Sequence, residues 1–313
     1  MSRKFDALVV VTPKDYLRLE CNYQRLVEYL PSARLIFVGN TEVGELVRNS
    51  NLGEKVRFVC EDDILPFDDV HRVMAEHMKG IFTDELPRGI TGWYYQQFLK
   101  MQYANMCKDE YYMSWDGDTV PCKVFSMFKE DGTPYIDIKH EYHELYFETM
   151  NKLVPGLKKF IEASFISEHM LFNCNIMKQL IARIESNNIL EGDKFYERVI
   201  RAISPENIQN SAFSEFETYG SFVCATAPYA YRLREWHSFR LAGEFFDPYE
   251  ITDEDYEWLS RDFDAISFEK NMSVREDHKN LFDNKEYQSK LSARQMLEIA
   301  QEEFKDGYIE VWK

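Results

Sequence analysis

The chain has 313 residues, with 54 acidic against 37 basic side chains and a formal net charge of −17. Most of its surface therefore repels polyanions, and DNA or RNA is not expected as a partner. An apolar content of 45% is enough for a substantial core, and 15% aromatic residues supply flat-faced pockets as well as packing.

Residues 5–11 are continuously apolar after Asp6, the pattern of a strand covered on both faces. This run is too short for a signal peptide, and no window reaches transmembrane length, so a cytoplasmic location is expected, with transient attachment at the inner face of a membrane. A turn at 12–15 leads into a helical pattern over 16–30, ended by Pro31. Strands are predicted at 34–38 and at 56–59, the second running into Glu61-Asp62-Asp63. The β-α-β alternation predicts an α/β fold with a mostly parallel central sheet flanked by helices, and ligands at the carboxyl ends of its strands. A helix over 70–80, a glycine-containing loop at 87–92 and a helix over 93–106 follow. A strand at 111–115 then delivers Asp116-Gly117-Asp118. Further strands are predicted at 124–128 and 134–138, and helices at 142–153, 157–163, 177–187 and 195–203. From about residue 248 strand patterning fades. The chain thus reads as a catalytic domain over 1–247 and a mainly helical C-terminal extension over 248–313, with 291–304 its clearest amphipathic stretch. Six cysteines are scattered without a CxxC pair and read as separate small hydrophobes.

Asp116 and Asp118 can converge on one cation if Gly117 lets the chain turn tightly, and their hard oxygens suit Mg²⁺ or Mn²⁺. Such an ion bridges diphosphate oxygens and offsets charge on a departing nucleoside diphosphate. Asp-x-Asp is also a common solvated turn; its place directly after an apolar strand favours the functional reading. The absence of HExxH, GxxxxGK[ST], GxSxG and a first-loop GxGxxG weakens zinc peptidase, ATPase, serine hydrolase and dinucleotide oxidoreductase readings.

Three ordered stretches carry a resemblance: residues 92–100 (Gly-Trp-Tyr-Tyr-Gln-Gln-Phe-Leu-Lys), residues 114–120 around Asp116-Gly117-Asp118, and residues 213–220 (Phe-Ser-Glu-Phe-Glu-Thr-Tyr-Gly). Together, over about residues 5–240, they resemble GT-A-fold glycosyltransferases, in particular a bacterial group associated with surface polysaccharide assembly. The resemblance implies a GT-A-like fold and a nucleotide diphosphate sugar donor, a UDP-sugar favoured. It implies metal-binding roles for Asp116 and Asp118 and a nucleotide-binding role near Thr12 and Pro13. The implied acceptor is a glycan or a lipid-linked saccharide. Trp115 and Gly117 depart from the commoner residues of that motif.

Thr12 can donate to the nucleotide, Pro13 can fix the turn, and Tyr16 can stack on a base or pack against the sheet. Asp62 can bind ribose hydroxyls or lie in an exposed loop. Trp93 can frame a sugar, Gln96 and Gln97 can meet sugar or phosphate oxygens, and Lys100 can meet the diphosphate. Glu215 is the leading candidate base for the acceptor hydroxyl and Glu217 the second. The two share a side of a strand and separate on a helix. His169 is a candidate substrate-side group, and His237 a candidate for completing the metal shell or contacting a phosphate. A nucleotidyltransferase, a nucleotide-sugar phosphohydrolase and a nonenzymatic glycan-binding protein remain as alternatives.

Overall fold

The computed structural model describes residues 3–82 and 85–304. The apolar run becomes β1 (Asp6–Val10), in which residues 7–9 are wholly enclosed, so the strand has no polar alternation. Thr12 caps α1 (Pro13–Leu19) by accepting the Asp15 N–H at 3.2 Å, and Pro13 occupies the first turn, where its missing amide costs nothing. α2 (Tyr23–Tyr29), β2 (Arg34–Gly39), α3 (Thr41–Asn49) and β3 (Val56–Cys60) follow. The single helix expected over 16–30 is therefore two, separated by a 3-10 turn at Glu20–Asn22.

α4 (Glu61–Ile64), α5 (Phe67–His77) and α6 (Arg88–Gln102) lead to β4 (Tyr111–Trp115) and β5 (Thr119–Pro121). The expected loop at 87–92 is largely the first turn of α6, because its glycines have neighbours that propagate the helix. β6 (Tyr135–Ile138), α7 (Glu144–Leu153), β7 (His169–Asn173), α8 (Cys174–Glu185), α9 (Phe195–Ala202) and α10 (Glu215–Thr226) complete the next stretch. Residues 124–127 lie in no strand and Phe128 makes only an isolated bridge to Pro134, while 157–163 is not helical. β8 (Arg232–Glu235), β9 (Ser238–Phe239), α11 (Asp253–Leu259), β10 (Ala265–Ser267), α12 (Glu276–Phe282), α13 (Lys285–Lys290) and α14 (Ala293–Phe304) finish the described chain.

The central sheet has the order β3-β2-β1-β4-β7. β1, β2, β3 and β4 run parallel, and β7 closes the edge antiparallel to β4. This mixed, mostly parallel sheet with flanking helices is the expected α/β class. The chain grows outward from β1 to β3 and then returns to lay β4 on the other side of β1. Loops leaving the carboxyl ends of β1 and β4 consequently diverge, and a crevice opens between them.

The segment after residue 247 is mainly helical, as expected, but it is not a separate appendage. β10 pairs antiparallel with β5 and parallel with β9, so a strand from the extension completes a small sheet started directly after Asp118. Residues 305–313 of the expected extension lie outside the described residues. Among the described residues no helix is long and apolar enough to cross a membrane.

Gly117 fixes the turn between β4 and β5 onto the end of β1. A Cβ added there would stand 2.5 Å from Val11 Cγ1 and 3.4 Å from the Val10 carbonyl oxygen. Gly117→Ala is accordingly expected to cost about 1–3 kcal/mol in denaturant unfolding, the scale of an overpacked site. Val11→Ala in the same chain should recover part of that loss; no recovery would show that the collision is not the cause.

Candidate active site

Asp116 and Asp118 stand where the sheet order reverses. The Asp116 N–H donates to the Glu168 carbonyl at 2.8 Å, and the Thr119 N–H donates back to the Asp116 carbonyl at 3.1 Å, so the turn is held on both sides. α6 brings Lys100 beneath it. The Lys100 ammonium lies 2.8 Å from Asp116 Oδ1 and 2.8 Å from Glu215 Oε1. Its Nζ also lies 4.7 Å from the Phe216 ring centroid, a cation–π contact. One turn earlier on α6, Gln97 Oε1 accepts the Glu215 N–H at 3.1 Å, which ties α6 to the start of α10. Ser214 caps α10 by accepting the Glu217 N–H, and an acidic first turn suits the positive end of the helix dipole.

The charges do not balance. Burial opposes the Lys100 ammonium, but Asp116 and Glu215 outweigh it and hold the group above the usual lysine range. Burial pushes the Glu215 carboxyl up, with Lys100 pulling it back. Among the described residues Asp118 has no such cation in contact: burial, then Asp116 and Glu269, push its carboxyl up to about 7 against the opposing pull of Arg18 and Arg240. Two carboxylates on one tight turn, with negative charge in excess, form a donor set suited to a hard divalent cation. Among the described residues no group of three or more His, Cys, Asp or Glu side chains is placed to hold a metal.

The other expected site residues divide. Thr12 and Pro13 lie at the carboxyl end of β1, at the crevice, with the Thr12 hydroxyl donating to Asp15 Oδ2 at 2.6 Å. Trp93 and Gln96 are half-buried on α6, Trp93 edge-on to Tyr94. Asp62 accepts the Phe67 N–H at the start of α5, at the end of β3, two strands from β1. Tyr16 is not free to stack on a base: it is core, its ring 4.8 Å from Tyr23 and 5.3 Å from Phe37. Gln97 serves the α10 backbone, as described above. His169 is wholly enclosed, with Nε2 2.8 Å from Asp137 Oδ2, Nδ1 2.8 Å from the Ser167 carbonyl, and Trp115 and Trp236 against its ring. Glu217 turns away from Glu215 because the segment is helical, and it accepts the Ser164 hydroxyl and the Phe165 N–H. His237 is at the wrong end of the small sheet. Its N–H meets Asp264 and its ring meets Arg294, whereas Asp118 pairs with Phe268 at the other end.

Several crevice residues had no signal in the sequence. Glu168 adopts a left-handed backbone with φ of 61°. Its carbonyl holds Asp116, and its side chain meets Lys139 at 2.9 Å and the Ser238 hydroxyl at 2.8 Å, contacts that over-determine this strained geometry. Arg240, three positions beyond His237, is the member of that segment whose charge reaches Asp118. Arg18 donates to the Phe268 carbonyl, while its Nε and the Tyr23 hydroxyl are buried without a protein partner near Asp118. Unsatisfied donors of this kind are costly unless something else accepts from them.

Over residues 7–295 the sequence matches a family of unknown function, DUF6492. The chain belongs to this family. No curated protein matches it. Solved structures similar to this DUF6492 member include mouse xyloside xylosyltransferase 1 in its apo form, 16% identical, covering 87% of this chain and 100% of that one with a TM-score of 0.42. Another is the galactosyltransferase LgtC with donor and acceptor sugar analogues, 12% identical, covering 92% and 100% with a TM-score of 0.39.

Removing the cation between Asp116 and Glu215 leaves two carboxylates facing each other with little solvent, so Lys100→Met is expected to destabilise the DUF6492 chain by about 3–5 kcal/mol in urea unfolding. A loss below 1 kcal/mol would mean that the bridge does not hold α6 to the turn and α10. Asp118 predicts a pH signature. Its folded value of about 7 lies above the ordinary 3.8, so the folded chain retains a proton that the unfolded chain releases between those values. Stability therefore falls as pH rises through that window. With a chelator present, Asp118→Asn should melt above wild type at pH 8, with the gain shrinking toward pH 4; a pH-independent difference would contradict the shift.

Proposed function

We propose that the chain is a metal-dependent glycosyltransferase, moving a sugar from a nucleotide diphosphate sugar to a hydroxyl of a glycan or lipid-linked saccharide. A UDP-sugar is the favoured donor, and bacterial surface polysaccharide synthesis at the cytoplasmic face of the membrane is the favoured setting. One observation carries the reading: Asp116 and Asp118 sit together on a glycine-dependent turn at the reversal point of the sheet, where burial and Asp116 raise the Asp118 carboxyl.

In this reading Asp116 and Asp118 hold Mg²⁺ or Mn²⁺. When bound, the ion supplies charge compensation for the departing diphosphate. Lys100 fixes the Asp116 carboxylate rather than reaching the diphosphate, because its ammonium is buried between two carboxylates. Glu215 acts through Lys100 as a positioning residue: its carboxylate is buried against that ammonium at 2.8 Å rather than presented to an acceptor hydroxyl. The Thr12-Pro13 loop and Arg18 Nε offer the nucleoside its polar contacts.

Calorimetry with UDP tests the donor side: binding is expected with Mn²⁺ and not with chelator, and Asp118→Asn should weaken it at least about tenfold. Equal affinity in the variant would remove Asp118 as a ligand. Glu215→Gln should lower the rate of sugar transfer more than the UDP affinity, a pattern that a nucleotide-binding role for Glu215 would reverse. Release of pyrophosphate or sugar phosphate without transfer would point to the other phosphate chemistries.

A further inference from the structure

We infer that the crevice carries, beside Asp118, a binding subsite for the ring of a neutral saccharide, with Tyr142 and Phe147 as its stacking platform and Glu141, Arg240 and Glu269 as its hydrogen-bonding edge. This subsite is the acceptor side of the proposed transfer and rests on that reading. It names the acceptor as an uncharged glycan.

Tyr142 is 68% exposed, yet its ring lies stacked on Phe147 at 5.4 Å and 20°. The Lys159 ammonium sits 5.2 Å from the Phe147 ring centroid, a cation–π contact. A large ring held in order at the surface is a ready platform for the C–H face of a sugar, and saccharide sites combine such platforms with a few placed polar groups.

Those polar groups begin at the preceding residue. Glu141 Oε1 lies 2.7 Å from Arg240 Nη1, and Arg240 Nε lies 2.8 Å from Glu269 Oε1. All three side chains are about one-third exposed, at 36%, 34% and 34%. They come from three distant stretches of chain: ahead of α7, after β9 and after β10. Exposed ion pairs are worth about 0–1 kcal/mol, so stability gives little reason to gather three long side chains here. The position does give a reason. Glu269 follows Phe268, whose N–H bonds the Asp118 carbonyl at 2.8 Å, and the charges of Glu269 and Arg240 both reach the Asp118 carboxylate. Tyr146, one turn along α7 from Tyr142, lies within the fields of Glu141, Glu215 and Arg240, and so links the platform to the Lys100 cluster.

Charge selects the ligand. Glu141 and Glu269 both pair with the single guanidinium of Arg240, so this edge carries one more carboxylate than cation and repels uronate or phosphate groups. Hydroxyl groups fit both kinds of partner, donating to the carboxylates and accepting from the guanidinium.

The test is a glycan array of neutral and uronate-containing oligosaccharides probed with the full chain carrying UDP and Mn²⁺, alongside UDP calorimetry. Wild type is expected to retain neutral glycans. Tyr142→Ala and Glu141→Ala should each lower that binding about tenfold, with UDP affinity kept within twofold, and Tyr142→Phe should restore it. The inference is overturned if uronate glycans bind preferentially, if no glycan binds, or if both alanine variants bind as wild type. UDP–Mn²⁺ binding with a blank array sinks the subsite alone; loss of UDP–Mn²⁺ binding in wild type sinks the donor reading beneath it.

Discussion

The ammonium of Lys100, lodged between Asp116 and Glu215, is the contact on which the rest of the site depends. It joins three separate elements, α6, the turn after β4 and the first turn of α10, through two bonds of 2.8 Å. A buried cation with two carboxylates is secure only while all three are present, because loss of one partner leaves an uncompensated charge out of water. The same arrangement leaves Asp118 outside the compensated set. Its raised proton affinity comes first from burial and then from Asp116 and Glu269, which Arg18 and Arg240 offset only in part.

Topology places this charge where a ligand can reach it. The reversal of strand order at β1 separates the loops after β1 and β4, and Gly117 allows the acidic turn to rest on Val11 without a side chain between them. The chain then closes the neighbourhood from far away in sequence. Glu168 supplies the carbonyl that holds Asp116, and β10 returns Phe268 to Asp118 from the C-terminal segment. The small β5-β10-β9 sheet thus makes the C-terminal part a structural component of the crevice rather than an addition to it.

The central strands and the acidic turn were legible in the sequence because both are local patterns: an unbroken apolar run for β1, and Asp-Gly-Asp directly after an apolar strand. Glu215 and Lys100 were also legible as neighbours of motifs, although their mutual contact across 115 residues was not. Tyr16 and His169 failed as site residues for a shared reason: aromatic and imidazole groups can satisfy core packing as well as ligands, and only burial decides between them. Glu217 failed because the segment forms a helix, which turns positions two apart to different sides. His237 failed by register, since strand pairing sends it to the end of β9 remote from Asp118. Arg240, Glu269 and Glu168 are assembled by tertiary contacts between distant strands and loops, for which no local spacing exists.

The central claim is that Asp116 and Asp118 share one divalent cation. Anomalous diffraction from a crystal grown with Mn²⁺ and UDP tests it directly. The account predicts one strong peak within direct ligand distance of both carboxylates, with UDP phosphate oxygens on its open side. A peak elsewhere, or none, with the two carboxylates unchanged and turned from each other, would contradict it.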